Sequence, residues 1–286
     1  MLSIEEILNS HEFIYFDTSS LFKVCTDFYQ EIYRSNIFSD INRSFLEENQ
    51  DHFIRGVSIL EKDNTFTVKE VTQEINSISR ILGEKLLYLR DKNKLWQYNK
   101  KFRNNNHNKE IELLLQKLQD DSNSLYKISC RKAVRYNNEN YSKLLDLICS
   151  LSDTFNLKRD NNYIYRSYRL PEENKNKNDE IIATNVLYEC FFNKRIGTLV
   201  AHDIDFLMLL RETTKILCSE SSINKGKIIS TLSENPPILY LCNRENRNFY
   251  DKIIFSDFTI PFKTKDYIEK IKGLSCKIED FSRCCK

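Results

Sequence analysis

Glycine and proline are scarce: five Gly and four Pro in 286 residues. Tight turns lean on those two residue types, so a protein built from many short antiparallel strands is excluded. No apolar run approaches the length of a membrane span, which excludes a membrane partner of that kind. The opening residues, MLSIEEILNS, lack the basic flank and apolar centre of a secretory leader, so a cytoplasmic location is expected. No CxxC pair occurs among the nine cysteines, which argues against a structural zinc site. The cysteines are odd in number and several fall in apolar patterns (Cys25, Cys149, Cys190, Cys218), so buried reduced thiols are expected rather than disulfides. The tail Cys-Cys-Lys is not a prenylation box.

The net charge of +2 is small, but its distribution is uneven. Residues 83–170 hold 18 Lys and Arg against 10 Asp and Glu, a balance of +8. The remainder holds 25 against 31, a balance of −6. A basic middle in an acidic chain asks for a partner.

The stretch FIYFDTSSLF (13–22) organises the rest. Its apolar start predicts a short buried strand that ends on Asp17. A helical pattern then places Leu21, Phe22, Cys25, Phe28 and Ile32 on one face. A carboxylate just past the carboxyl end of a strand stands where open α/β sheets bind their ligands. A helix cap by Asp17 or Ser19 is the simpler alternative.

Further along, a helix is expected around Phe53, Ile54, Val57 and Leu60, a turn at Asp63-Asn64, and a short strand at TFTV. Val71, Ile75, Ile78 and Leu82 follow with a helical period, and Glu74 falls inside that stripe. A carboxylate there needs a partner, a cation or an edge position that reaches solvent. KLLYLRDKNKLWQYNKKFR mixes seven basic residues with aromatic ones. IELLLQKLQDD and YSKLLDLICSLSDTF read as amphipathic helices that could pack as a pair. NDEIIATNVLYECFF is the next helix, with Asn178 or Asp179 as its cap and Asp179 on the face of Ile182, Ala183 and Val186. Lys194 to Gly197 make a turn. GTLVAHDIDF then repeats the strand-then-acid arrangement, with Asp203 at the strand end and Asp205 two residues on. ILYLC and NFYDKIIFSDFTI read as strands, and KTKDYIEKIKGL as a last helix ending near Gly273.

Asp17, Glu74, Asp179 and Asp203, with Asp205 beside the last, form a candidate set of carboxylates. Such clusters repel unless a cation sits among them, and oxygen-only ligands suit Mg²⁺ or Mn²⁺. FDTSSL, VKEVTQEI, DEIIATNVL and LVAHDIDF, in that order, resemble the acid-bearing segments of the PIN-domain nucleases. The resemblance covers about Phe13 to Leu210 and leaves out the basic middle and the last stretch. It implies a three-layer α/β/α sandwich with a central, mostly parallel sheet and a long helical insertion. The expected division is 1–82 for the first part of the core, 83–178 for the basic insertion and linker, and 179–286 for the second part with a C-terminal extension. It implies metal-dependent hydrolysis of phosphodiesters, in RNA more than DNA, by a metal-activated water. Asp17, Glu74, Asp179 and Asp203 would be the catalytic metal ligands, Asp205 an outer acid, and Ser19 a support for Asp17. Ala201 departs from the family, which often has Thr or Ser two before the fourth acid.

The basic middle supplies candidate nucleic-acid contacts at Lys94, Trp96, Lys100, Lys101 and Arg103: cations for phosphates and a ring for an unpaired base. A solvated helical hairpin is its simpler reading. RNA, single-stranded RNA included, is the expected partner ahead of DNA, and a protein partner or a second copy stays open. Two other functions compete. A non-catalytic PIN-like module would bind RNA or protein. A haloacid-dehalogenase-type phosphatase also begins with strand and Asp, but it needs an acid two residues later, where this chain has Ser19.

Overall fold

The structure is a computed structural model that describes residues 1–21, 43–98, 105–155, 157, 177–219, 224–243, 245–246, 248–256 and 265–285. The expected contacts at Lys100, Lys101 and Arg103 lie outside these residues, as do Phe22, Cys25, Phe28 and Ile32.

Three strands are buried along their whole length or nearly so. β1 (Ile14–Phe16) and β3 (Thr198–Ala201) are buried at every position, and β4 (Ile238–Cys242) at its first three. Continuous apolar burial is what parallel strands covered on both faces require. β5 (Tyr250–Ile254) alternates buried and exposed positions instead, which fits an edge. With the two-residue β2 (Thr65–Phe66), they form one sheet in the order β2-β1-β3-β4-β5. All pairings are parallel except β4 with β5. The register sets Ile14 opposite Thr65 on one side and Thr198 on the other.

The helices, in chain order, are α1 (Ile4–Ser10), α2 (Thr18–Leu21), α3 (Arg43–Leu60), α4 (Lys69–Tyr98), α5 (Asn105–Lys132), α6 (Glu139–Phe155), α7 (Asn178–Phe191), α8 (Asp205–Leu217), α9 (Lys225–Glu234), α10 (Lys265–Gly273) and α11 (Ser275–Cys284). Helix α1 starts with a reciprocal cap: Ser3 N–H donates to Glu6 Oε2 at 2.7 Å, and Glu6 N–H to Ser3 Oγ at 3.3 Å. α2, α3, α4 and α5 pack among themselves, and so do α6, α7, α8, α9 and α11. The chain steps from β1 outward to β2, then back across to β3 and on to β4. Right-handed crossovers in opposite directions put their helices on opposite faces. The protein is therefore an α/β fold around a mostly parallel sheet, compatible with a three-layer α/β/α arrangement.

The expected boundary at 82/83 falls in the middle of α4, which runs through it without interruption. Leu115, Leu118 and Leu125 on α5, and Leu144, Leu147, Ile148 and Leu151 on α6, join the same apolar core as the sheet. The pairing expected of α5 with α6 does not occur. α5 lies on α3 and α4, while α6 lies on α7, α8 and α11. α5 buries its apolar stripe against helices that precede it in the chain, and α6 against helices that follow it. Ile54 also departs from expectation: it is 47% exposed, and Leu46, Phe53 and Leu60 carry the buried face of α3. The chain does not end its helices at Gly273; α11 follows after a single residue and buries Ile278 and Phe281. Among the described residues, no helix is long and apolar enough to cross a membrane.

Candidate functional site

The order of the strands reverses between β1 and β3. In open parallel sheets that point leaves a crevice beyond the carboxyl ends of the two strands, because their following helices depart to opposite faces. Asp17 is the first residue after β1, and its N–H still joins the sheet by donating to Val200 O at 3.3 Å. Asp203 lies two residues beyond β3, not at the strand end as the apolar run suggested. His202 occupies the intervening bend, with its Nε2 3.3 Å from the Tyr250 hydroxyl.

Each of these acids is tied on one side. Asp17 Oδ2 accepts from the Ser19 hydroxyl and from Ser19 N–H, the latter at 3.2 Å. Its backbone carbonyl accepts from Ser20 N–H and Leu21 N–H. Asp17 thus does cap the short helix α2, as the simpler alternative held. Asp203 Oδ1 accepts from Asp205 N–H at 3.0 Å, an Asx turn that opens α8. The bonds from Ser19 reach Oδ2 of Asp17, and the bond from Asp205 reaches Oδ1 of Asp203. Capping and cation binding are compatible, because an ionised carboxylate has about four acceptor sites.

Electrostatics link three of the expected acids. The Asp17 carboxyl is pushed up to about 7, first by burial and then by the neighbouring carboxylates of Glu74 and Asp203, against the hydrogen bond from Ser19. Glu70, one turn before Glu74 on α4, is also raised, chiefly by burial, with Glu74 adding to it. Asp179 enters through its neighbour. It is half-buried in the first turn of α7, and Asn178 beside it donates Nδ2–H to Glu74 Oε1 at 2.7 Å. The other oxygen of Glu74 accepts from the Thr18 hydroxyl. Neither Asn178 nor Asp179 caps α7 through its side chain: the cap position is Lys177, without a side-chain bond. Asp205 is buried at the start of α8, whereas Asp203 is exposed. Lys94 and Trp96 fall on the last turns of α4.

The donor set is all oxygen and its members repel one another, which fits Mg²⁺ or Mn²⁺ in chemistry. As the side chains stand, no three His, Cys, Asp or Glu residues among those described lie close enough to chelate one ion. Chelation therefore requires side-chain rotation, for which the exposed Asp203 has room.

Two acids on α7 went unsuspected. Glu180 and Glu189 are both buried. Glu189 Oε1 accepts from Tyr15 Oη at 2.9 Å and from Tyr136 Oη, and its Oε2 from Asn193 Nδ2 at 2.8 Å and Arg195 Nε at 2.5 Å. The Arg195 guanidinium also stacks 3.8 Å from the Phe13 ring. Burial and the Glu189 carboxylate push the Tyr136 hydroxyl up to about 12. Each oxygen of Glu189 has two donors, so this is a satisfied structural carboxylate rather than a reactive one. It stands three turns from Asp179 along α7, away from the crevice.

Comparison with known proteins names no relative: no family model matches the chain, and neither a curated protein nor a solved structure matches it significantly.

Proposed function

We propose that the chain is a PIN-like, divalent-metal-dependent ribonuclease that hydrolyses phosphodiester bonds with the carboxylates beyond β1 and β3. One observation carries this reading. Asp17 follows the strand on one side of the sheet's reversal, Asp203 lies just beyond the strand on the other, and Asp17 is pushed up to about 7 in company with Glu74 and Asp203. A site that gathers acids at a ligand crevice is suited to receive a cation.

A bound Mg²⁺ or Mn²⁺ would lower the pKa of a coordinated water and offset charge on the phosphate. Asp17, Glu74, Asp179 and Asp203 would hold it. Ser19 fixes Asp17 by donating its hydroxyl and its N–H to Oδ2. The Asp205 N–H orients Asp203. The side chain of Asp205, buried behind that turn, contributes negative field rather than a ligand. The three-layer sandwich and the PIN-like topology belong to this same reading, as does RNA as the substrate, met in part by the basic residues of 83–170.

The test is cleavage of mixed RNA and DNA substrates with Mn²⁺ and with EDTA, on wild type, Asp203→Asn and Asp205→Asn. We expect RNA cleavage that EDTA abolishes, a loss of at least about 100-fold for Asp203→Asn, and a smaller loss for Asp205→Asn. Equal losses in two folded variants would contradict the roles given to these acids.

A second reading, a non-catalytic PIN-like module that binds RNA or protein, is favoured by two observations. The four acids do not converge on one point as they stand, and Ala201 brings no hydroxyl to the end of β3. Metal-independent RNA binding without cleavage would select it.

A further inference from the structure

Glu74 stands where three acid-bearing segments meet. Thr18, the residue after Asp17, donates its hydroxyl to Glu74 Oε2. Asn178, the residue before Asp179, donates its amide to Glu74 Oε1 at 2.7 Å. Both donors are neutral, and Thr18 is buried. We infer that Thr18 and Asn178 are positioning residues that hold Glu74 in register with the segments carrying Asp17 and Asp179, so that fewer side chains have to be ordered when a cation arrives. This rests on reading the acids as a Mg²⁺ or Mn²⁺ site.

The physical need is specific. Asp17 and Glu74 repel each other across the gap between the start of α2 and the face of α4. Left to that repulsion, the long Glu74 side chain would swing away, and ordering it again would cost conformational entropy on every binding event. A cationic clamp such as Lys or Arg would cancel the repulsion but would compete with the metal. Neutral hydroxyl and amide donors fix the carboxylate without themselves adding a positive charge beside it. Both donors sit directly beside another acid in the chain, so each bond locates two carboxylates at once.

If the two donors only stitched α2, α4 and α7 together, their loss would lower stability and leave cation affinity unchanged. The deciding experiment is a calorimetric Mn²⁺ titration of the full chain for wild type, Thr18→Val, Thr18→Ser and Asn178→Ala, with folding checked by circular dichroism. Val matches Thr in shape without the hydroxyl, and Ser keeps the hydroxyl, so the Thr18 pair decides even if Asn178→Ala does not fold. We expect a dissociation constant about tenfold higher in Thr18→Val and Asn178→Ala, and near wild type in Thr18→Ser. Unchanged affinity in folded Thr18→Val, with wild type binding Mn²⁺, overturns the positioning role and leaves the metal site standing. Tighter binding in Asn178→Ala would make the amide a competitor of the cation and also overturns it. If wild type binds no Mn²⁺, the metal reading falls and this inference falls with it.

Discussion

Asp17→Asn is expected to remove nearly all RNA cleavage and, in metal-free buffer above pH 8, to make the protein more stable than wild type. The sign follows from the folded-state shift. Asp17 titrates at about 7 in the folded chain against an ordinary value of 3.8. Between those values the folded state binds more protons than the unfolded one, so stability falls as pH rises. The favourable contribution is complete below about pH 4 and is lost as pH passes through 7. The shift corresponds to a penalty on the order of 4 kcal/mol for the ionised form, an upper figure because Asp17 is only half-buried. Asn removes the charge and keeps an acceptor for Ser19. Denaturant unfolding at pH 5 and pH 8.5, with EDTA, measures the effect. Asp17→Asn should gain about 2 kcal/mol or more at the higher pH and much less at the lower. Added Mn²⁺ should stabilise wild type and leave the variant unmoved. Equal stabilities at both pH values would mean that Asp17 does not share its space with Glu74 and Asp203.

Gly197→Ala should be the most damaging small substitution in the core. A Cβ at Gly197 would stand 2.2 Å from Val186 O and 3.0 Å from Val186 C, which are backbone atoms of α7 and cannot rotate aside. The clash forces α7 away from the start of β3, the strand that leads to Asp203. We expect a loss of about 3 kcal/mol or more, a drop in Tm on the order of 10 °C. Gly226→Ala is the control. Nothing lies within 4 Å of its Cβ, and in the first turn of α9 the substitution should gain about 0.5 kcal/mol. Thermal unfolding of both variants separates close approach from a general cost of replacing glycine.

The parts of the fold that sequence makes legible are those where one physical signal dominates. β1, β3 and β4 are continuous apolar runs because both faces are covered, and such runs announce themselves. Helix α7 shows the converse. It is buried on nearly all sides from Ile182 to Phe191, so the one-face periodicity that placed Asp179 on its inner side says nothing about Glu180 or Glu189. The bonds of Glu189 come from Tyr15, Tyr136, Asn193 and Arg195, residues up to 174 positions away from it, and no local pattern reports them. The separation of α5 from α6 was illegible for a similar reason. An amphipathic stripe tells that a helix is covered, not by what. Helix α1 has only Ile4 and Ile7 buried, too few for a period, yet its Ser3–Glu6 spacing is a helix signal in plain view. At the site, the neighbourhood of Asp17 and Asp203 follows from two strand-then-acid segments in one parallel sheet. The bonds of Thr18 and Asn178 to Glu74 depend on how α2, α4 and α7 meet, which only the packed chain decides.

The central claim is that the acids beyond β1 and β3 hold a divalent ion. Soaking crystals of the full chain in Mn²⁺ and mapping its anomalous scattering tests this most directly. The account predicts a peak at the carboxyl ends of β1 and β3, within ligand distance of at least three of Asp17, Glu74, Asp179 and Asp203. A crystal saturated with Mn²⁺ that shows no peak there, or one held only by surface carboxylates elsewhere, would contradict it.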